Sequence, residues 1–290
     1  MENALRGIVL LILATVLFSM SDAMAKYLSA TLPAVEISWI RYGTFIVFAA
    51  LLALPAGRRR LRVRSKLLQV IRGLMLVASA VLFILALPHL PLADAASIGF
   101  ASPILITVLS VPMLHETVGI RRWAAVIVGF LGVLVVIRPG TGAFEPAALL
   151  VLGSSLAWAF ATILTRRMAG ADDAATTLLW SAVTGFVVLT ILLPFQFVVP
   201  SFGAFALTLV LGIIASSGQY LMVLAYRHAN ASLLAPFSYS QLIWSTTLGY
   251  LVFGTFPDAW TGVGAAIIAA SGLYTANRER IRARERRAAA

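Results

Sequence analysis

The chain has 290 residues, 61% of them hydrophobic and only 11% charged, with a mean hydropathy of +0.97. A soluble domain is about half apolar and a quarter charged, so this composition excludes a soluble globule and points to a membrane protein. The net charge of +11 does not signal nucleic acid, because the basic residues fall in short connections and a tail between apolar runs.

In chain order, ten apolar runs are predicted to span: 4–28, 35–55, 67–87, 94–114, 122–138, 147–168, 174–199, 204–226, 232–253 and 260–277. Each is near the ~20 residues that cross ~30 Å of hydrocarbon. They must be helices, since lipid offers no partner to an unpaired amide. Pro33, Pro55 with Gly57, Pro88 and Pro91, Pro139-Gly140, Pro200 and Pro257-Asp258 punctuate the runs. The run 122–138 is short and 174–199 is long, so these boundaries are the least secure. Arg6 before an apolar stretch, with Ala23-Met24-Ala25 following, also fits a cleaved signal peptide. The repeat described next argues for retention of that helix. The fold class expected is an all-α polytopic membrane protein.

Leu85-Ala86 followed by His89 recurs 139 positions on as Leu224-Ala225 and His228. At an offset of 140, Phe18 falls on Trp158, Lys26 on Arg166 and Thr44 on Thr184. The chain thus divides into two copies of a five-helix unit, 1–138 and 147–277, followed by a basic tail, 278–290. A unit with an odd number of crossings leaves its second copy upside down. Inverted repeats are a common build of secondary transporters, with the substrate held where the halves meet near the midplane.

With the N-terminus inside, 18 of the 22 Lys and Arg residues lie on the inner side. They include Arg6, the run Arg58, Arg59, Arg60, Arg62, Arg64 and Lys66, Arg121-Arg122, Arg166-Arg167, Arg227 and six arginines after residue 277. Positive residues stay inside, so both termini are expected in the cytoplasm of a bacterial-type inner membrane. The tail is expected to continue the last helix and meet anionic lipid headgroups.

At 1.5 Å per residue, Trp158 lies about 16 Å into its helix, close to the midplane. Ser102 and Pro103 reach about the same depth, with Phe100 a turn shallower. Tyr239 and Gln241 lie about 10–14 Å from the inner side, and Ser216 and Ser217 about 18 Å from the outer start of their helix. Phe100 and Tyr239 are related by the repeat, as are Phe18 and Trp158, so these four rings are expected to cage an apolar side chain. Their alternative is ordinary packing. Pro103 and Pro236 each remove a ladder amide, which makes either a kink or an unwound stretch offering carbonyls to an ammonium group.

Asp22, Lys26, Arg41 and Arg72 are charged residues inside spans, where charge is costly and marks function. Asp22 is expected to pair with Arg41 across helices or with Lys26 one turn on, as a gating pair, with proton coupling the competing role. Arg72 is expected to snorkel to the inner interface. His115-Glu116 begins like a zinc-protease helix but lacks the second His, and Cys is absent, so no metal and no cofactor are expected. The midplane polar groups are hydroxyls and amides, which does not suit an intramembrane enzyme, and no polar stripe or charged ring suggests a channel.

The stretch Pro103 to Gly132, with Glu116 at the inner end of the fourth span and Gly129 and Gly132 in the fifth, resembles the drug/metabolite transporter superfamily and its ten-helix EamA-type exporters. Trp158, Arg166 and Pro236 also match, while Thr255 stands where the second copy would carry the acid of Glu116. Overall the chain looks most like the YddG-type exporters of aromatic amino acids. The resemblance implies a basket of two inverted halves that exports small metabolites, amino acids foremost, by alternating access. Export of amphipathic cations coupled to protons is the other reading left open.

Overall fold

A computed structural model describes residues 2–53, 63, 65–168, 174–229 and 231–288. All the regular structure among them is helical: α1 (Glu2–Leu28), α2 (Ala34–Ala53), α3 (Lys66–Ala86), α4 (Leu92–Gly99), α5 (Ser102–Leu114) and α6 (Ile120–Ile137). There follow α7 (Ala147–Arg167), α8 (Ala174–Leu192), a 3₁₀ turn (Leu193–Phe195), α9 (Phe202–His228), α10 (Ala231–Ser238), α11 (Ser240–Phe253) and α12 (Ala259–Ala288). Nine segments among the described residues are long and apolar enough to cross a membrane. The chain is therefore a multi-pass membrane protein. The tenth predicted run, 232–253, is cut into α10 and α11, of 8 and 14 residues, each too short alone.

Two further sequence expectations are corrected in these boundaries. The fourth span is broken as well, between α4 and α5, although Leu92–Leu114 together remain long enough to cross. The seventh ends at Leu192 instead of 199 because Pro194 has no amide to continue the ladder, and its ring would crowd the carbonyl of Thr190. The last helix runs 30 residues to Ala288, about 45 Å long, so the tail continues it as expected. The basic run Arg58, Arg59, Arg60, Arg62 and Arg64 lies outside the described residues.

The repeat is visible in the backbone. α4 spans 92–99 and α10 spans 231–238, α5 and α11 end at 114 and 253, and α6 and α12 begin at 120 and 259. Each difference is 139. Even the stops agree. Past α5, the amide of Glu116 bonds the carbonyl of Ser110 at 3.4 Å, and past α11 that of Thr255 bonds Gly249 at 3.1 Å. The turning residue is left-handed in both, His115 at φ 54° and Gly254 at φ 66°, which is the usual way a helix end satisfies its last carbonyls.

Packing is mostly between halves, and it comes in exchanged pairs. α1 lies along α9 as α7 lies along α3; α2 meets α9 as α8 meets α3; α1 meets α11 as α7 meets α5. α2 with α8 and α6 with α12 are their own counterparts. Glycine makes the last contact possible. A Cβ on Gly132 would stand 3.0 Å from the carbonyl oxygen of Gly264, and one on Gly264 would stand 2.7 Å from that of Gly132. Small residues let membrane helices approach this closely.

The helices run between a terminal end, which carries both ends of the chain, and a distal end. The largest buried cluster gathers distally, with Leu28, Leu32, Ile37, Leu87, Leu92, Val133 and Ile137. The cluster nearest the terminal end holds only Leu11, Ala225 and Leu234. Among the described residues the larger buried cluster is thus the distal one.

Candidate functional site where the two broken helices meet

The two breaks face each other. Phe100 closes α4 and Tyr239 separates α10 from α11, and their rings stack at 4.7 Å between centroids with 27° between planes. Pro103 explains the first break. It lacks the amide that would bond the Gly99 carbonyl, so that oxygen instead accepts from the hydroxyls of Ser102 at 2.6 Å and Ser155 at 3.4 Å. In the second half Pro236 sits inside α10, before the break. Gly272 of α12 accommodates the Tyr239 hydroxyl, which a Cβ there would overlap.

Each break is met by the first helix of the other half. Ser155 of α7 reaches the first, as just described. At the second, Thr15 of α1 shares a hydrogen bond with Ser240 at 2.8 Å, and Ser19 with Ser245 at 3.1 Å. Ser19 also donates to the carbonyl of Gln241 at 3.3 Å. Threonine and serine hydroxyls suit this task, because interhelical bonds in lipid leave no polar group exposed to hydrocarbon.

The expected four-ring cage is only half assembled. Phe100 and Tyr239 spend their faces on each other, the offset arrangement aromatic pairs favour. Phe18 instead packs over Gly218 of α9, where a Cβ would stand 3.1 Å from its ring. Trp158 is 39% exposed and stacks on no other ring among the described residues. It does share the face of α7 that carries Ser154, Ser155 and Thr165, which bond into α3 and α4. Ser216 is buried and Ser217 half-buried on α9.

The predicted charge pair does not form. Asp22 accepts from Gln241 Nε2 at 3.5 Å, with no ion pair to Arg41 or Lys26. Lys26 has turned to the open end of α3, where it donates to the carbonyl of Leu87 at 2.9 Å and to that of Leu90, and lies 5.3 Å from the centre of the Phe253 ring. Unpaired carbonyls at a helix C-terminus attract such a cation. Arg72 does not snorkel: it is buried and donates to Thr165 Oγ1 at 2.6 Å, the Thr177 carbonyl at 3.2 Å and Ser181. Its inner-turn position alone could not reveal that α7 and α8 cover it with hydroxyls.

Two residues escaped the sequence reading. Glu36 is 1% exposed at the start of α2 and accepts the Val198 amide at 3.1 Å. Trp244, one turn beyond Gln241, has a buried indole N–H with no hydrogen-bond partner. An acid at a span edge and a tryptophan away from the interfacial belt were the signals available.

A cavity of about 250 Å³ lies away from the breaks, at the distal end, lined by His89, Asp94, Arg138, Glu145, Phe256 and Asp258 among others. Arg138 and Asp258 close one side with a 2.5 Å salt bridge between the ends of the two halves. The Thr261 amide, more than the Arg138 guanidinium, holds the Asp258 carboxyl below the usual carboxylate range.

The EamA-like transporter family model matches the chain twice, over residues 5–138 and 145–276. An S-adenosylmethionine uptake transporter of Rickettsia prowazekii is 29% identical over 94% of this chain and 93% of its own. A riboflavin transporter of Vibrio cholerae is 27% identical over 99% and 98%, and the pseudopaline exporter CntI of Pseudomonas aeruginosa is 29% identical over 90% and 93%. A solved structure, described only as a crystal structure of a protein, shares the fold with a TM-score of 0.66 at 18% identity, covering 94% of this chain and 97% of that one.

Proposed function

Because the chain belongs to the EamA-like transporter family, we propose that it moves small amphipathic metabolites, first among them amino acids with aromatic or large hydrophobic side chains, outward by alternating access. The observation that carries this reading is the meeting of two broken helices, one from each half, at a stacked aromatic pair. Broken helices at a repeat interface are where such transporters bind their cargo, and apolar walls with a few polar groups suit an amphipathic ligand. The relatives carry small molecules in both directions by name, uptake for S-adenosylmethionine and export for pseudopaline. Export of amino acids rests on the resemblance to the YddG-type exporters.

In this reading the halves 1–138 and 147–277 are inverted copies, both termini and the basic tail face the cytoplasm and its anionic lipid, and the distal end, with the larger buried cluster, faces out. Phe100, Tyr239, Trp158, Phe18, Gln241, Ser216 and Ser217 then lie around the route. Counterflow in proteoliposomes tests it, with a panel of amino acids, riboflavin and S-adenosylmethionine. Saturable exchange of phenylalanine or leucine is expected, and Trp158→Ala should weaken it about tenfold while sparing alanine. Equal loss for every substrate would make Trp158 a packing residue. No amino-acid flux at all would overturn the substrate class.

A further inference from the structure

Asp22 is the carboxylate beside the second break, and the structure leaves it short of partners. Its one hydrogen bond is long, 3.5 Å from Gln241 Nε2. A carboxylate offers about four acceptor positions, and one withdrawn from water needs them filled or a cation beside it. The nearby cations do not serve. Lys26, one turn along α1, is committed to the carbonyls of Leu87 and Leu90 and to the Phe253 ring. The field of Arg41 reaches Asp22, but no ion pair forms.

Asp22 keeps partial exposure while its neighbours Ser21 and Ala23 are buried. Phe18 lies one turn before it on the same face of α1, and Tyr239, stacked on Phe100, lies two residues from its partner Gln241. A carboxylate short of partners beside the break is what an ammonium group pairs with. The other half lacks it. At the offset of 140 Asp22 becomes Thr162, and at 139 Gln241 becomes Ser102, so the charge is on one side of a pseudo-symmetric site only.

We propose that Asp22 is the counter-charge for a primary ammonium group on the substrate, bound on the α1–α11 side of the site, with the substrate's apolar part directed toward the α7 side and Trp158. This rests on the transport reading above and narrows it to amine-bearing substrates. It also moves Asp22 from a gate into the binding site. Asp22 is then a specificity-determining residue: a ligand without an amine gains nothing from it.

Three probes of one shape separate the possibilities in proteoliposomes: phenylalanine, phenethylamine and 3-phenylpropionate. On the wild-type protein, phenethylamine should compete with labelled phenylalanine at least about tenfold better than phenylpropionate does, a difference of one ion-pair contact. Asp22→Asn should weaken phenylalanine and phenethylamine by about thirtyfold or more in apparent Kd, leave phenylpropionate unchanged or improved, and elute as a single folded species. Asp22→Glu should recover part of the loss. Equal competition by amine and acid, or an Asp22→Asn protein that still prefers phenethylamine, would overturn the proposal while leaving the transport reading standing. A wild-type protein that moves none of the three overturns the amino-acid substrate class on which the proposal rests. The competition arm needs no variant, so a poorly folding mutant does not rescue the idea.

Discussion

The two helix breaks occupy matching positions, Phe100-Ala101 and Tyr239-Ser240, yet their surroundings differ in kind. The first is hydroxyl-lined and neutral: Gly99 accepts from Ser102 and Ser155, and Thr162 occupies the place of Asp22. The second carries Tyr239, Gln241 and Asp22, together with the orphan indole N–H of Trp244. What the repeat holds in common is backbone: helix lengths, stops and cross-half hydroxyl contacts. What it does not share is polarity. The difference teaches that the repeat fixes the discontinuity, whereas polarity is set where the copies have diverged.

Packing behind the second break should give the largest effect. Gly272→Val drives a side chain into the space of the Tyr239 hydroxyl. Overpacking of this kind costs about 1–3 kcal/mol, and it should part the Phe100–Tyr239 stack and lower amino-acid flux about tenfold. The control is Val133→Leu at the matching place behind the first break, where no such contact with a ring hydroxyl exists. If both substitutions cost the same flux, the claimed asymmetry between the breaks is wrong.

The fold itself was largely legible in the residues. Ten apolar runs, their prolines and the offset of 139–140 were enough for an all-helical bundle of two units, because burial in lipid leaves the backbone no alternative to helix. Phe100 and Tyr239 were legible as a pair for the same reason: the repeat relates them. The pairing of Asp22 was not. Spacing along α1 placed Lys26 within reach, but Lys26 is held by two carbonyls past the end of α3, and no local pattern reports where another helix ends.

A smaller effect should separate the hydroxyl contacts. Thr15→Val removes the 2.8 Å bond to Ser240, and Ser155→Ala removes a 3.4 Å contact to a carbonyl that Ser102 already satisfies. Thr15→Val should lower thermal stability by about 1 kcal/mol and Ser155→Ala by about half that or less. Thermal midpoints in the same detergent decide it. A larger loss for Ser155→Ala would show that the first break depends more on its cross-half contact than its geometry suggests.

The smallest effect belongs to the distal salt bridge, which joins the ends of both halves outside the spans. Asp258 has its carboxyl held low, so its stabilisation is fully present above about pH 4 and is lost as pH falls through the lowered value. The pair is partly exposed, with side-chain accessibilities of 23% and 46%, and such pairs contribute under about 1 kcal/mol. Wild type should therefore be slightly more stable than Asp258→Asn at pH 7, and the difference should shrink as pH falls below the usual carboxylate range. A difference that persists unchanged in acid would assign the stability to something other than the carboxylate charge.

The sequence by itself determined the solvent, the helical class and the doubling, since these follow from hydropathy, backbone hydrogen bonding and a fixed offset. It also marked Pro103, which removes the amide that would have closed the ladder over Gly99. Only the tertiary structure decided where the larger buried cluster gathers, that Arg72 is covered, that Phe100 and Tyr239 face each other, and that Asp22 meets Gln241 instead of a cation. Those outcomes depend on which helix lies beside which across the two halves, and residues some 220 positions apart, such as Asp22 and Gln241, leave no periodic trace of one another in the chain.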